Sequence, residues 1–98
     1  MKLVLLTNPE ILAIVNPMMD NLMAGSTAIN HAQHTRDFTE RAKAIVTPKH
    51  LAYVCQDYQT KWGFFTHREF VAIFRRPNSV AVIWKQFCSQ QAGEFVAE

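Results

Sequence analysis

Apolar positions along this chain follow two regimes. From Ile11 to Trp62 they recur at helical spacing, and from about Glu69 onward they crowd into β-branched and aromatic runs. Leu3 to Leu6 reads as a short strand or an extended lead-in. Asn8-Pro9 then reads as a helix start, because Asn caps free N–H groups and Pro suits the first helical position. Ile11, Ile14, Val15, Met18, Leu22 and Met23 trace the apolar side of that helix. Pro17 removes a hydrogen bond and crowds the preceding turn, which predicts a kink or break near Asn16. Gly25 reads as the stop.

Ser26 to Arg36 is polar and weakly patterned. Asp37 with Glu40 resembles a capping box, and Asp37–Arg41 is a supporting i,i+4 pair. Together they predict a second helix running to about Val46. Thr47-Pro48 is the clearest helix start in the chain, with Val46 able to staple onto Leu51. Leu51, Val54, Cys55, Tyr58 and Trp62 form one apolar stripe, which Gly63 closes.

Glu69–Gln86 admits two readings. Thr66 with Glu69 matches a capping box, and Phe70, Ile73 and Phe74 suit a helical face ending at Pro77. Against this, Phe70 to Phe74 are mostly strand formers, and a second strand-like run, Val80–Phe87, follows Arg76-Pro77-Asn78-Ser79, which has good turn chemistry. The hairpin is the preferred reading. In it, Phe70, Ala72 and Phe74 share one face and Val71 and Ile73 the other. Val80, Val82 and Trp84 oppose Ala81, Ile83, Lys85 and Phe87 in the partner strand. Both faces are largely apolar, so both want covering. The helices cover one. A second copy of the sheet is expected on the other, through Val71, Ile73, Ala81 and Ile83. Gly93–Glu98 starts a third strand. The expected fold is α+β: N-terminal helices packed on a small antiparallel sheet, cone-like in outline.

Composition narrows the function classes. Ninety-eight residues fit a single domain, 1–98, with a modest core for which oligomerisation is an economical remedy. The formal charge of +2 calls for no polyanionic partner. Cys55 and Cys88 lie far apart in apolar patterns and read as reduced, inert thiols. The N-terminal apolar run is too short for a signal peptide, and no run approaches membrane-spanning length. A soluble cytoplasmic protein without membrane attachment is the expectation.

Candidate chemistry is sparse. His31-x-x-His34-x-x-Asp37 has ligand-like residue types, but the helix is expected to break within it and no fourth ligand is evident. It reads as a polar loop, with no metal or cofactor expected. His34 and Asp37 remain the weak candidates for an acid–base pair at a pocket rim. Tyr53, Tyr58, Trp62, Phe74 and Trp84 are the candidate lining of a cavity between helices and sheet, set against a plain core role. His67, with Arg68 and Glu69, reads as surface. Helices followed by a hairpin tipped by Arg75-Arg76 also match the order of a winged-helix DNA binder. Thr47–Tyr58 would be its recognition helix. The near-neutral charge, the acidic Asp57 on that helix and the two apolar sheet faces speak against it.

Several helices precede a meander whose second strand reads Val80-Ala81-Val82-Ile83-Trp84, followed by Gly93-Glu94-Phe95. Leu22-Met23-Ala24-Gly25 has the form of a first-helix end. In these residues the chain resembles the nuclear-transport-factor-2-like superfamily, which includes SnoaL-like cyclases and ketosteroid-isomerase relatives. The resemblance covers about two-thirds of the chain. It implies a cone-shaped α+β fold that binds or transforms a small hydrophobic molecule, or only dimerises. Ser26 stands where the group often has an acid, and the chain ends where one or two more strands are expected. The pocket is therefore expected to be incomplete or closed by a partner chain, and no catalytic acid carries over. The expected function is binding of a small hydrophobic molecule or assembly through the sheet. The alternative is an isomerase- or cyclase-like enzyme with an aromatic-lined pocket.

Overall fold

The computed structural model describes residues 2–98. A single 3₁₀ turn, Leu3–Leu5, replaces the expected strand or extended lead-in. Helix α1 spans Asn8–Thr27, and its cap is Thr7 rather than Asn8. The Thr7 hydroxyl accepts from the Glu10 N–H, and the Glu10 carboxylate accepts from the Thr7 N–H at 3.0 Å. This reciprocal capping box satisfies two of the free donors of the first turn.

Two expectations for α1 are corrected. The helix runs through Pro17 unbroken. Pro17 and Ala13, whose carbonyl loses its partner, both face solvent, so water can serve the freed acceptor. Gly25 does not stop the helix. It is buried, and a Cβ there would stand 2.5 Å from the His34 backbone nitrogen. The glycine is a notch that lets the next segment cross α1 closely. The helix ends instead in a Schellman motif. Asn30 N–H reaches the Gly25 carbonyl (2.8 Å), and Ile29 N–H reaches that of Ser26 (3.1 Å). Ile29 takes the left-handed position with φ 52°, a strained conformation for a β-branched residue. Its side chain packs against Leu51, Cys55 and Tyr58, which offsets that strain.

The one-turn helix α2 (His31–His34) is capped by Asn30, and α3 (Glu40–Ile45) by Thr39. Asp37 is thus not the cap expected for this helix. Its carboxylate accepts from Arg36 at 2.9 Å instead. Helix α4 (Pro48–Trp62) begins and ends as its sequence predicts. Thr47 caps it, and Gly63 follows in a left-handed conformation, φ 81°.

The hairpin is present. Strand β1 (Phe65–Arg75) pairs antiparallel with β2 (Val80–Cys88), and β3 (Phe95–Ala97) pairs with β2 on its other side, giving the order β1-β2-β3. Arg76 N–H closes the turn onto the Ser79 carbonyl at 2.8 Å. The fold is α+β, helices first and sheet last.

A register shift between Phe70 and Ala72 leaves Val71 as the extra residue of a bulge. Beyond it the side-chain alternation reverses. Ile73 pairs with Val82 and joins the core face, packing against the buried cluster of Ile11, Met19, Val82, Trp84 and Ala97. Phe74 and Ala72 pair with Ala81 and Ile83 on the outer face. The expected grouping of Ile73 with Ala81 and Ile83 is therefore corrected, because one inserted residue flips everything after it.

The chain builds two small cores. Helix α1 on the sheet forms the first. Leu51, Cys55 and Tyr58 of α4, with Val46, Ile29 and Phe65, form the second. Helix α4 meets the sheet through two aromatic stacks, Tyr58 on Phe65 (centroids 4.8 Å apart) and Trp62 on Phe95 (4.9 Å). The molecule is flat, 40 × 32 × 18 Å, with a radius of gyration of 14.3 Å. A compact chain of this length has about 12.6 Å.

Candidate functional site

Between the two cores lies a half-open cleft of about 350 Å³. Its walls are Met19, Leu22, Met23 and Ser26 of α1, facing Leu51, Val54, Cys55, Tyr58 and Trp62 of α4. The sheet contributes Phe65, Gln86, Cys88 and Phe95. The cleft exists because α4 leans on α1 near Ser26 and on the sheet through its aromatic stacks, leaving the wedge between them unfilled. A second cleft of about 280 Å³ lies beneath Trp84, between α1 and the hairpin end of β2. The two share Met19, Leu22, His34 and Glu98, so His34 and Glu98 stand where they meet.

The charged residue Glu98 stands at the edge of the first cleft, and the buried polar groups inside it are few and hydrogen-bonded. Ser26 Oγ and Tyr58 Oη share a hydrogen bond of 2.8 Å, and Cys55 Sγ lies 3.3 Å from the same Ser26 oxygen. Ser26, Cys55 and Tyr58 are all buried. Gln59 Nε2 donates to the Ser26 and Thr27 carbonyls, tying α4 to the end of α1. Burial raises the Cys88 thiol pKa.

Gln86 is 4 % exposed. Its Nε2 donates to the His67 and Phe87 carbonyls, both at 3.0 Å. Two carbonyls demand the NH₂ end of the amide, so the orientation is settled and Oε1 is the atom left over. Among the described residues, Gln86 Oε1 and Arg68 Nε find no partner and are buried. Arg68 stands opposite Gln86 in the β-ladder. Its Nη2 donates to Asp20 Oδ1 at 2.6 Å and to the Asn16 carbonyl at 3.2 Å, and its guanidinium lies 5.4 Å from the Trp84 ring centroid.

His34 Nδ1 lies 2.9 Å from the Leu22 carbonyl. A carbonyl only accepts, so Nδ1 carries the proton of this bond. His31 Nε2 likewise donates to the Val46 carbonyl at 2.6 Å. Both histidines are thereby used as struts between segments. Among the described residues, no three His, Cys, Asp or Glu side chains come together as a metal site.

Residues singled out in the sequence divide as follows. Tyr58 and Trp62 line the first cleft and Trp84 the second. Tyr53 and Phe74 do not join them. Tyr53 is 72 % exposed, and Phe74 lies on the outer sheet face. His34 and Asp37 both line the second cleft, but His34 bonds to Leu22 and Asp37 to Arg36, not to each other. Ala81 and Ile83 lie on the outer face, Val71 sits at the bulge and Ile73 faces the core. Arg75, near the hairpin tip, folds back toward the start of α1. Its Nη2 donates to the Leu6 carbonyl and to Asn8 Oδ1, both at 2.8 Å. Ser26, Arg68 and Gln86 were not among the predicted site residues. Strand alternation was the available signal for Gln86, which shares the parity of Val82 and Trp84.

No helix among the described residues is long and apolar enough to cross a membrane. No family model matches the chain, and neither a curated protein nor a solved structure matches it.

Proposed function

We propose that this protein binds a small, largely apolar molecule in the cleft between α1 and α4. The observation that carries the reading is the cleft itself. It is concave, walled by Leu, Met and aromatic side chains, and supplied with a few fixed polar atoms, the usual composition of a ligand site. Its volume sits at the low end for such sites, about 300–1,000 Å³, so the ligand is small. Resemblance to the nuclear-transport-factor-2-like superfamily points the same way. Two free cysteines suit a cytoplasmic setting. Titration with 4-propylphenol, followed by the emission of Trp62 and Trp84, tests the reading. Saturable quenching is expected, and Val54→Trp, which fills the mouth of the cleft from an exposed position, should abolish it. Identical quenching in the filled variant would defeat the reading.

A second reading, assembly of two copies through the outer sheet face, has its own observation. Among the described residues, no helix packs over the face carrying Ala72, Phe74, Ala81, Ile83 and Val96. The accessible surface is 6553 Å², roughly 15 % above the ~5,700 Å² of a monomer of this mass. That excess is close to one partner's share of a standard interface, about 800 Å². Sedimentation at micromolar concentration should show a dimer that Ile83→Glu dissociates. Monomer alone would end this reading.

A further inference from the structure

The second cleft, about 280 Å³ beneath Trp84, has no part in the function proposed above. Its walls include Val15, Met18 and Leu22 of α1 with Phe38, Val80 and Trp84. Its ionisable residues are His34, Asp37 and Glu98, and among the described residues no lysine or arginine lines it. All three can be reached from solvent. The Asp37 side chain is 29 % exposed, His34 is half-buried and Glu98 is exposed. His34 and Asp37 stand three residues apart in one tight turn, where the Phe38 N–H closes onto the Thr35 carbonyl at 3.0 Å. Glu98 follows Ala97, which pairs with Trp84 in the sheet. The two carboxylates only accept hydrogen bonds. His34 gives Nδ1 to the Leu22 carbonyl, and Nε2 of a neutral ring accepts too. An apolar cleft whose ionisable residues supply acceptors and negative charge favours a cation rich in donors.

We propose that the second cleft binds a small primary amine with an apolar body, held as its ammonium ion. The ammonium donates to the Asp37 and Glu98 carboxylates, and the body lies against Met18 and Phe38. Arg36 does not close the site. It donates to Asp37 at 2.9 and 3.3 Å, but its side chain is 56 % exposed and does not line the cleft. A carboxylate that accepts two such bonds has room for more, and an exposed ion pair is weak enough to share its anion. A carboxylate ligand would meet two like charges, and an alcohol gains no charge attraction. This site stands apart from the ligand proposed for the first cleft, and neither depends on the other.

The test compares 4-propylbenzylamine, 4-propylbenzyl alcohol and 4-propylbenzoate at pH 7 and low salt, by calorimetry and amide chemical-shift mapping. The wild type should bind the amine about 5-fold or more tightly than the alcohol, and the benzoate least. Added salt should shrink that preference. In the double variant Asp37→Asn, Glu98→Gln, checked for folding by circular dichroism, it should fall to about 2-fold or less. The amine should shift Val15, Phe38 and Val80, which line only this cleft, and leave Ser26 and Tyr58 of the first cleft unmoved. Equal binding of amine and alcohol, tightest binding of the benzoate, or a preference that survives the double variant overturns the proposal. So do shifts confined to Ser26, Leu51 and Tyr58, which would seat the amine in the first cleft, and so does failure of all three probes to bind. Should the double variant not fold, the wild-type preference and the shift map decide. Failure of 4-propylphenol in the first cleft would leave this result untouched.

Discussion

The Ser26–Tyr58 hydrogen bond is the shortest buried polar link between α1 and α4, and its removal should be felt in two separable ways. Tyr58→Phe deletes one hydroxyl and leaves the ring stacked on Phe65. Ser26 Oγ then keeps only Cys55 Sγ at 3.3 Å, a weak partner. A buried hydroxyl deprived of its partner costs about 1–3 kcal/mol, and the residual thiol contact places this case near 1–2 kcal/mol. Ser26→Ala strands the Tyr58 hydroxyl except for Gln59 Nε2 at 3.4 Å, and should cost a similar amount. The double variant leaves no orphan, so it should cost less than the two singles together, with a coupling of about 1 kcal/mol. A 98-residue domain with a urea slope near ~1 kcal/mol per M would show each single as a fall of about 1–2 M in the unfolding midpoint. Urea melts of the four proteins, followed by circular dichroism, give the cycle directly. Additivity within about 0.3 kcal/mol would refute the bond.

Three further outcomes follow from particular contacts. Gly25→Ala places a methyl group against the His34 backbone, so it should destabilise by about 1–3 kcal/mol in a chemical melt despite alanine's better helix propensity. Backbone and then side-chain hydrogen bonds from Thr7 hold the Glu10 carboxyl below the usual carboxylate range. A lowered folded pKa means stability present above the unfolded value and lost as pH falls through the folded one. Thermal melts should therefore weaken on acidification below the carboxylate range, and Glu10→Gln should flatten that part of the profile. Burial disfavours the Cys88 thiolate, so its alkylation by iodoacetamide near pH 8 should run slower than that of a free thiol. An apolar probe in the cleft should slow it further.

Local signals in this chain were readable and long-range ones were not. Thr47-Pro48 and Gly63 bound α4 because capping chemistry is decided within four residues. The hairpin was readable from its strand formers and its Arg76–Ser79 turn. Its face assignment failed at Val71, since no residue type there announces an extra position. Gly25 reads as a stop by local rules, and its actual task, admitting the His34 backbone, depends on a segment nine residues away. Pro17 left α1 intact because its side of the helix is wet, a fact of tertiary placement. The aromatic half of the site, Tyr58, Trp62 and Trp84, was readable as apolar periodicity. Its polar half was not. Ser26 lies beyond the expected helix end, although it continues the Leu22 face by one turn. Arg68 and Gln86 look like surface residues until the sheet turns them inward.

The central claim is that the cleft between the two cores takes a ligand. Amide chemical-shift mapping during titration with 4-propylphenol tests it most directly. The account predicts saturable shifts concentrated at Met23, Ser26, Leu51, Cys55, Tyr58 and Gln86, with the outer-face residues Phe74, Ala81 and Ile83 unmoved. Shifts confined to that outer face, or none at saturating probe, would contradict it.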